Sequence, residues 1–253
     1  MQLEHVKAVV TGGVSGLGLA TVKHILANGG RAVMLDVNDE VGAAAASETG
    51  ARYIHTDVTS EEAVANALDQ ATDHMGGINA AVNCAGIIGA GRVLGREAPM
   101  ALSFFATTIN VNLIGSFNVA KSAADRMQHN DAGADGERGI IINTASVAAY
   151  EGQIGQAAYS ASKAGLVGMT LPMARELARF GIRVVTLAPG IFWTPMVDGM
   201  PEHIQEALSA SIPFPSRLGR PEEFAELAGN VIESGYLNGT TIRLDGAVRL
   251  APK

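Results

Sequence analysis

Short β-branched runs and longer amphipathic segments alternate along the whole chain, and no feature restricts the possible folds more. The strand candidates are Val6–Thr11, Arg31–Asp36, Arg52–His55, Ile78–Asn83, Gly139–Thr144, Arg183–Ala188 and Thr240–Leu244. Helix candidates lie between them, over Gly16–Asn28, Val41–Thr49, Glu61–His74, Met100–Gln128, Gln156–Phe180 and Pro221–Glu233. Strands joined by helical crossovers pair in parallel, and a parallel sheet must be covered on both faces. Local punctuation supports these boundaries. Thr59 and Glu62 have capping-box spacing, Pro221 suits a first helical turn, and Gly29-Gly30 suits a helix stop. The polar stretch His129–Arg138 predicts a surface loop. Nothing resembles a linker between two cores, and there is no repeat beyond the alternation itself.

Composition narrows the function classes. With 47% hydrophobic and 17% charged residues, the 253-residue chain can bury a large core and is not disordered. Its 18 Lys and Arg are scattered against 25 Asp and Glu, a net charge of −7, which argues against nucleic acid as the ligand. Cys84 is the sole cysteine, so disulfides and multi-cysteine zinc sites are excluded. None of His5, His24, His55, His74, His129 and His203 pairs with another at i, i+4, and no metal is expected. No apolar run reaches the ~18 residues needed to span a bilayer, and Val6–Val10 begins too early for a cleavable signal. The expectation is a cytoplasmic protein with no membrane partner.

Thr11–Gly18 reads TGGVSGLG between the first strand and the first helix. Gly12 would allow the tight turn, Gly16 would admit a ligand closely, and Gly18 would let the helix lie near the sheet. Amides around Ser15, Gly16 and Leu17 would then face a pyrophosphate at the helix start. Asp36 ends the second strand 18 residues beyond Gly18, close to the ~20 expected for an acid that binds ribose. Its carboxylate would repel the extra phosphate of NADP, and Val14, Ser15 and Val37 supply no cation, so NAD is the expected cofactor. The predicted architecture is a single doubly wound, Rossmann-type α/β domain spanning residues 1–253, with a seven-stranded, mostly parallel sheet and helices on both faces. Asp57 and Val58 follow the third strand, where they could line the adenine.

Ile140–Lys163 reads IIINTASVAAYEGQIGQAAYSASK, with Tyr159 and Lys163 four residues apart on one helix face. An ammonium ~5 Å from a phenol, at an effective dielectric near 20, is worth ~3 kcal/mol, which would lower the phenol pKa by about two. Tyr159 would then serve as a base in mildly alkaline conditions. Ser146, just past the fifth strand, is placed to hydrogen-bond an alcohol or carbonyl oxygen.

At these residues the chain resembles the short-chain dehydrogenase/reductase family, from about Val6 to Leu250. The matching motifs are TGGVSGLG at 11–18, NCAG at 83–86, VNLIG at 111–115, Ser146 with YSASK at 159–163, and APG at 188–190 followed by Thr194. The resemblance implies that Tyr159 is the general acid/base and that Lys163 binds the nicotinamide ribose and depresses the Tyr159 pKa. It further implies that Ser146 orients substrate and Asn112 holds a water in a proton relay. Asp57, Val58, Asn83, Ala85 and Gly86 would meet the adenosine side, while Pro189, Gly190, Ile191, Phe192 and Thr194 would approach the carboxamide.

Further stretches, NTASVAAYEGQIGQAAYSASK at 143–163, GMTLPMARELA at 168–178, PFPSRLG at 213–219 and LNGTTIRLDGA at 237–247, are similar to the branch of the family that oxidises 3-hydroxyacyl-CoA thioesters. That similarity implies Gln156 near the substrate and a homotetramer with contacts from the C-terminal segment. Ile87–Ala98 and Trp193 depart from the branch near the expected substrate entrance. Arg92 and Arg96 would meet CoA phosphates or stay solvated, Met196 and Met200 would shape an apolar pocket or pack the core, and Cys84 would be a packed residue. Other activities on the same scaffold are hydroxysteroid oxidation and 3-oxoacyl carrier-protein reduction, the latter disfavoured by Asp36. A non-catalytic NAD-binding subunit is the alternative from another class.

Overall fold

The structure is a computed structural model that describes residues 1–194, 197 and 201–252. Strands β1 (Lys7–Thr11), β2 (Arg31–Asp36), β3 (Arg52–His55), β4 (Ala80–Asn83), β5 (Gly139–Thr144), β6 (Ile182–Pro189) and β7 (Thr241–Leu244) form one sheet in the order β3-β2-β1-β4-β5-β6-β7. Every pairing in it is parallel, where a mostly parallel sheet was expected. The helices are α1 (Gly16–Ala27), α2 (Asp39–Thr49), α3 (Glu61–Met75), α4 (Leu102–Ile109), α5 (Gly115–Met127), α6 (Ala157–Leu177), α7 (Glu202–Ala210) and α8 (Pro221–Glu233). None of those described is long and apolar enough to cross a membrane.

The two-residue period of the strands sorts side chains between two apolar layers. Ala8, Val10, Ile140 and Ile142 pack with Ile25 of α1 and Phe224 and Val231 of α8. Val9 and Ile141 pack with Leu68 and Met75 of α3 and Val119 of α5 on the other face. Because β1, β4, β5 and β6 are covered on both sides, their residues are buried almost without exception. Each fully buried Ile or Leu contributes roughly 2 kcal/mol through the water it sheds.

Four local features depart from the sequence reading. The single helix expected over 100–128 is interrupted by a π-helical turn at Asn110–Ile114, which separates α4 from α5 and carries the fully buried Asn112. Ser60, not Thr59, caps α3, accepting from the Ala63 amide, because Asp57 already takes both the Thr59 amide and hydroxyl. The 129–138 loop is not purely a surface feature: Glu137 reaches inward to Arg183 at 2.7 Å, and Arg183 donates to the Val231 and Ile232 carbonyls at the end of α8. Finally, α7 was not anticipated. Its Leu208 packs on a small cluster of Val197, Ile212, Leu218 and Val248, a tertiary contact that a short polar segment does not advertise.

Candidate active site

The sheet order reverses direction between β1 and β4, so the chain leaves their C-terminal ends on opposite faces and opens a crevice there. Two bonds tie the crevice floor: Cys84 N donates to Thr11 O and Ala85 N to Thr11 Oγ1, both at 3.1 Å. Gly12 sits against this floor at φ +62°, where a Cβ would stand 2.9 Å from Ala85 N. Gly16 is also left-handed, at φ +50°. Gly18 has a different role from the one expected. A Cβ there would run into the Gly12 carbonyl oxygen, so it packs the helix start on the turn rather than on the sheet. Gly13, which the motif did not single out, leaves no room either, since its Cβ would lie 2.6 Å from Val10 O.

Ser15 precedes α1 in extended backbone, and its hydroxyl caps no amide of the helix. The first-turn amides therefore keep their donors and the positive end of the helix for an anion. These features fit a dinucleotide pyrophosphate. Asp36, at the edge of β2, accepts the Asn38 amide at 3.1 Å and keeps further acceptor capacity on its carboxylate. Its backbone carbonyl is held by the Tyr53 hydroxyl at 3.1 Å, which also lies 2.8 Å from Asp39 Oδ1. Burial and Asp39 together hold the Tyr53 phenol well above its usual range, so it stays a donor.

Of the other residues expected on the adenosine side, Asp57 is exposed and organises its own turn. Val58 is buried, and its carbonyl is fixed by Asn118 Nδ2 at 2.9 Å. Asn83 is buried, with its amide donating to Ser116 O and Asn143 Oδ1, so its side chain is a strut between β4, β5 and α5.

Ser146 follows β5 and accepts the Ala148 amide at 3.1 Å, and its hydroxyl also hydrogen-bonds Tyr159. Tyr159 and Lys163 lie on α6, with Lys163 Nζ 5.7 Å from the Tyr159 ring centre. Lys163 is buried and donates to Thr144 O at 2.7 Å. Burial lowers its pKa to about 8. The expected Lys-driven lowering of the Tyr159 pKa is not what these groups produce. Desolvation raises the phenol above its ordinary value, and the group that opposes this is Ser146. The penalty for burying a phenolate exceeds what the neighbours return.

A Cβ on Gly86 would lie 3.1 Å from Asn112 Oδ1 and 3.5 Å from Lys163 Nζ, which brings Asn112 and Lys163 together beside that glycine. The Asn112 side chain is fully engaged, accepting from Ile87 N at 2.8 Å and donating to Ile87 O and Ser162 Oγ. Ser162 Oγ in turn donates to the Tyr159 carbonyl at 2.7 Å. The Asn112 carbonyl accepts from Ser116 Oγ at 2.8 Å.

Beyond β6, Pro189 ends the strand and Gly190 allows Asp245 to approach, its Cβ position being 2.8 Å from Asp245 Cα. Ile191 accepts the Gly219 amide through its carbonyl. The Phe192 ring is buried edge-on against Phe224, so its side chain belongs to the core and only its backbone is free to meet a ligand. Thr194 is partly buried. The Gln156 carboxamide accepts the Gln153 amide at 3.0 Å at the start of α6. Trp193, Arg92 and Arg96 are exposed, and neither arginine pairs with an acid among the described residues. Met196 and Met200 lie outside the described residues. Cys84 is a packed thiol whose pKa burial pushes up to about 11.

Comparison with known proteins agrees with this geometry. A family profile described as short chain dehydrogenase matches residues 6–205. The chain belongs to the short-chain dehydrogenase family. It is therefore an oxidoreductase, and membership implies a nicotinamide cofactor. It is 52% identical to 3-hydroxyacyl-CoA dehydrogenase type-2 of Rattus norvegicus over 97% of this chain and 95% of the relative. The protein of that name from Homo sapiens is 50% identical with the same coverage. The crystal structure of 3-hydroxyacyl-CoA dehydrogenase type-2 from Mycobacterium avium superimposes with a TM-score of 0.95 at 43% identity, covering 99% of this chain and 98% of that one.

Sequence reasoning missed Thr11, Tyr53, Ser116, Asn118, Thr144 and Ser162. Each acts on backbone groups or on another side chain across the fold; Thr11 in TGGVSGLG and Thr144 and Ser162 in NTASVAAYEGQIGQAAYSASK fall within motifs that could have drawn attention to them, whereas Tyr53, Ser116 and Asn118 do not.

Proposed function

We propose that this short-chain dehydrogenase, a single NAD-binding domain, oxidises the 3-hydroxyl of a short-chain 3-hydroxyacyl-CoA to the 3-oxo product, in fatty-acid or branched-chain acyl-CoA oxidation. The observation that carries the reading is the Ser146–Tyr159–Lys163 group beside Gly86 and Asn112, at the end of the sheet where Gly12 and α1 form an anion cradle. Similarity to the type-2 dehydrogenases supports the choice of acyl-CoA.

Tyr159 takes the hydroxyl proton as the general base, and Ser146 donates to the oxygen as charge develops on it. Bound nicotinamide supplies the hydride acceptor. Lys163 holds the nicotinamide ribose and, with a water held by Asn112, passes the proton outward. Gly12, Ser15, Gly16, Leu17 and Gly18 cradle the pyrophosphate, and Asp36 selects NAD through the ribose hydroxyls. Asp57, Val58, Asn83, Ala85 and Gly86 form the adenosine wall, Pro189 to Phe192 and Thr194 meet the carboxamide through backbone and hydroxyl groups, and Gln156 borders the substrate.

The enzyme is further proposed to work in the cytoplasm as a homotetramer. Support for assembly comes from the exposed apolar side chains of Leu102 and Phe104 on α4, Ile114 in the π turn and Phe117 on α5. The test is a panel of 3-hydroxyacyl-CoAs and hydroxysteroids with NAD, followed by NADH absorbance. Turnover on the short thioesters is expected, and turnover confined to steroids would overturn the substrate assignment.

A further inference from the structure

The twelve residues that separate Ser146 from Tyr159 must bring both side chains to one oxygen. Their path is set from far away in sequence. Ser146 caps a 3-10 turn over Val147–Ala149, and the Glu151 amide closes that turn on Val147 O at 3.0 Å. From there the chain runs through Gly152, which packs on Ser160, to Gln156 at the start of α6.

Glu151 forms a two-pronged ion pair with Arg243 of β7, at 2.8 and 2.9 Å. The Arg243 guanidinium also lies 5.0 Å from the centre of the Tyr150 ring and donates to Asp245 at 2.7 Å. The C-terminal segment adds two backbone acceptors: Pro252 O takes the Ile154 amide at 3.0 Å and Ala251 O takes Gln153 Nε2 at 3.1 Å. On its far side the loop gives Gly155 O to the Gly91 amide at 2.7 Å, joining it to the segment beside the expected substrate entrance. Two parallel N–H···O bonds fix orientation as well as distance, so Arg243 holds Glu151 in one pose.

We propose that Arg243, Glu151 and the 251–252 backbone are positioning elements that hold the 150–155 loop, so that the C-terminal segment governs acyl-substrate binding while leaving the pyrophosphate and adenosine half of the dinucleotide site untouched. The cofactor cradle at Gly12, Asp36 and α1 makes no contact with this clamp, being built on β1 and β2 at the other half of the sheet. The proposal rests on the dehydrogenase reading above, and the test separates the two.

Steady-state kinetics on 3-hydroxybutyryl-CoA and NAD are compared for the native chain, Glu151→Gln, Arg243→Lys, Arg243→Met and a chain ending at residue 250. Turnover by the native chain tests the dehydrogenase reading by itself. The expected result is a KM for the acyl-CoA raised about tenfold in Arg243→Met and severalfold in the shortened chain. Arg243→Lys, which keeps a charge but loses the fork, falls between native and Arg243→Met. The Kd for NADH, read by its fluorescence, stays within twofold throughout. Loss of NADH binding in step with activity, or an unchanged acyl-CoA KM in the shortened chain, overturns the proposal. Of the described residues the shortened chain removes only Ala251 and Pro252, both exposed, so it decides the matter even where Arg243→Met fails to fold.

Discussion

Replacing Lys163 by Met should make the protein more stable and leave it inactive. Lys163 is buried, and desolvation lowers its pKa from 10.5 to about 8. At pH 7 the folded chain therefore carries a proton that it holds less favourably than the unfolded chain does. The cost is about 3 kcal/mol, at about 1.4 kcal/mol for each tenfold loss in proton affinity. Met fills similar space without a charge. It also leaves the Thr144 carbonyl without its 2.7 Å donor, which returns ~1 kcal/mol of the gain. The net effect at pH 7 is a stabilisation of ~2 kcal/mol, or a rise in Tm of about 4–8 °C for a chain this long.

The sign across pH follows from the direction of the shift. The penalty is fully present below the folded-state value near 8, shrinks as pH rises toward 10.5, and is absent once the amine is neutral in both states. The stability advantage of the variant should therefore narrow between pH 8 and 10.5 and end slightly negative. Urea unfolding of both proteins at pH 7 and pH 10.5, with NADH formation measured alongside, checks this. A variant less stable than native at pH 7, or an advantage that does not change with pH, would refute the reasoning that burial dominates at Lys163.

Asp36 should make NAD better than NADP by at least ~100-fold in kcat/KM, about 3 kcal/mol from a ribose hydrogen bond and charge repulsion, and Asp36→Ser should cut that ratio at least tenfold when both cofactors are titrated. Gly12→Ala places a Cβ 2.9 Å from Ala85 N at a φ of +62°; the left-handed backbone alone costs ~1–2 kcal/mol, and calorimetry should find NADH affinity reduced at least tenfold. Ser146 is the group that holds the Tyr159 phenol down against burial, so Ser146→Ala should move the rising limb of the kcat/KM pH profile to more alkaline pH as well as slowing turnover ~100-fold. An unshifted limb would separate Ser146 from the ionisation of Tyr159.

Much of the fold was legible because its periods are physical requirements. Arg31–Asp36, Arg52–His55 and Gly139–Thr144 are bounded as the sequence suggests, since continuous β-branched runs flanked by turn residues have few alternatives. The π turn at Asn110–Ile114 was not legible: the sequence continues helically, and the extra residue per turn serves to direct Asn112 toward Ile87 and Ser162, a tertiary reason. The cap at Ser60 was misjudged by one residue because Asp57 competes for Thr59. At the site, the spacing of Tyr159 and Lys163 correctly brings them together, but spacing alone says nothing of desolvation. The ordering of Lys163 below its usual value and Tyr159 above it emerges only once Lys163 is seen buried and Tyr159 half-buried and desolvated at this end of the sheet. The Arg243–Glu151 pair spans 92 residues, and no local pattern marks it.

The account stands most directly on the hydroxyl of Tyr159 as the proton acceptor beside a bound dinucleotide. Single-turnover oxidation of 3-hydroxybutyryl-CoA by Tyr159→Phe, with NADH affinity measured on the same preparation, tests it. The account predicts a rate at least ~1,000-fold below native, in keeping with the loss of general base catalysis and its hydrogen bond, with NADH binding kept within a few-fold. A variant that binds NADH and still forms it at a comparable rate would contradict it.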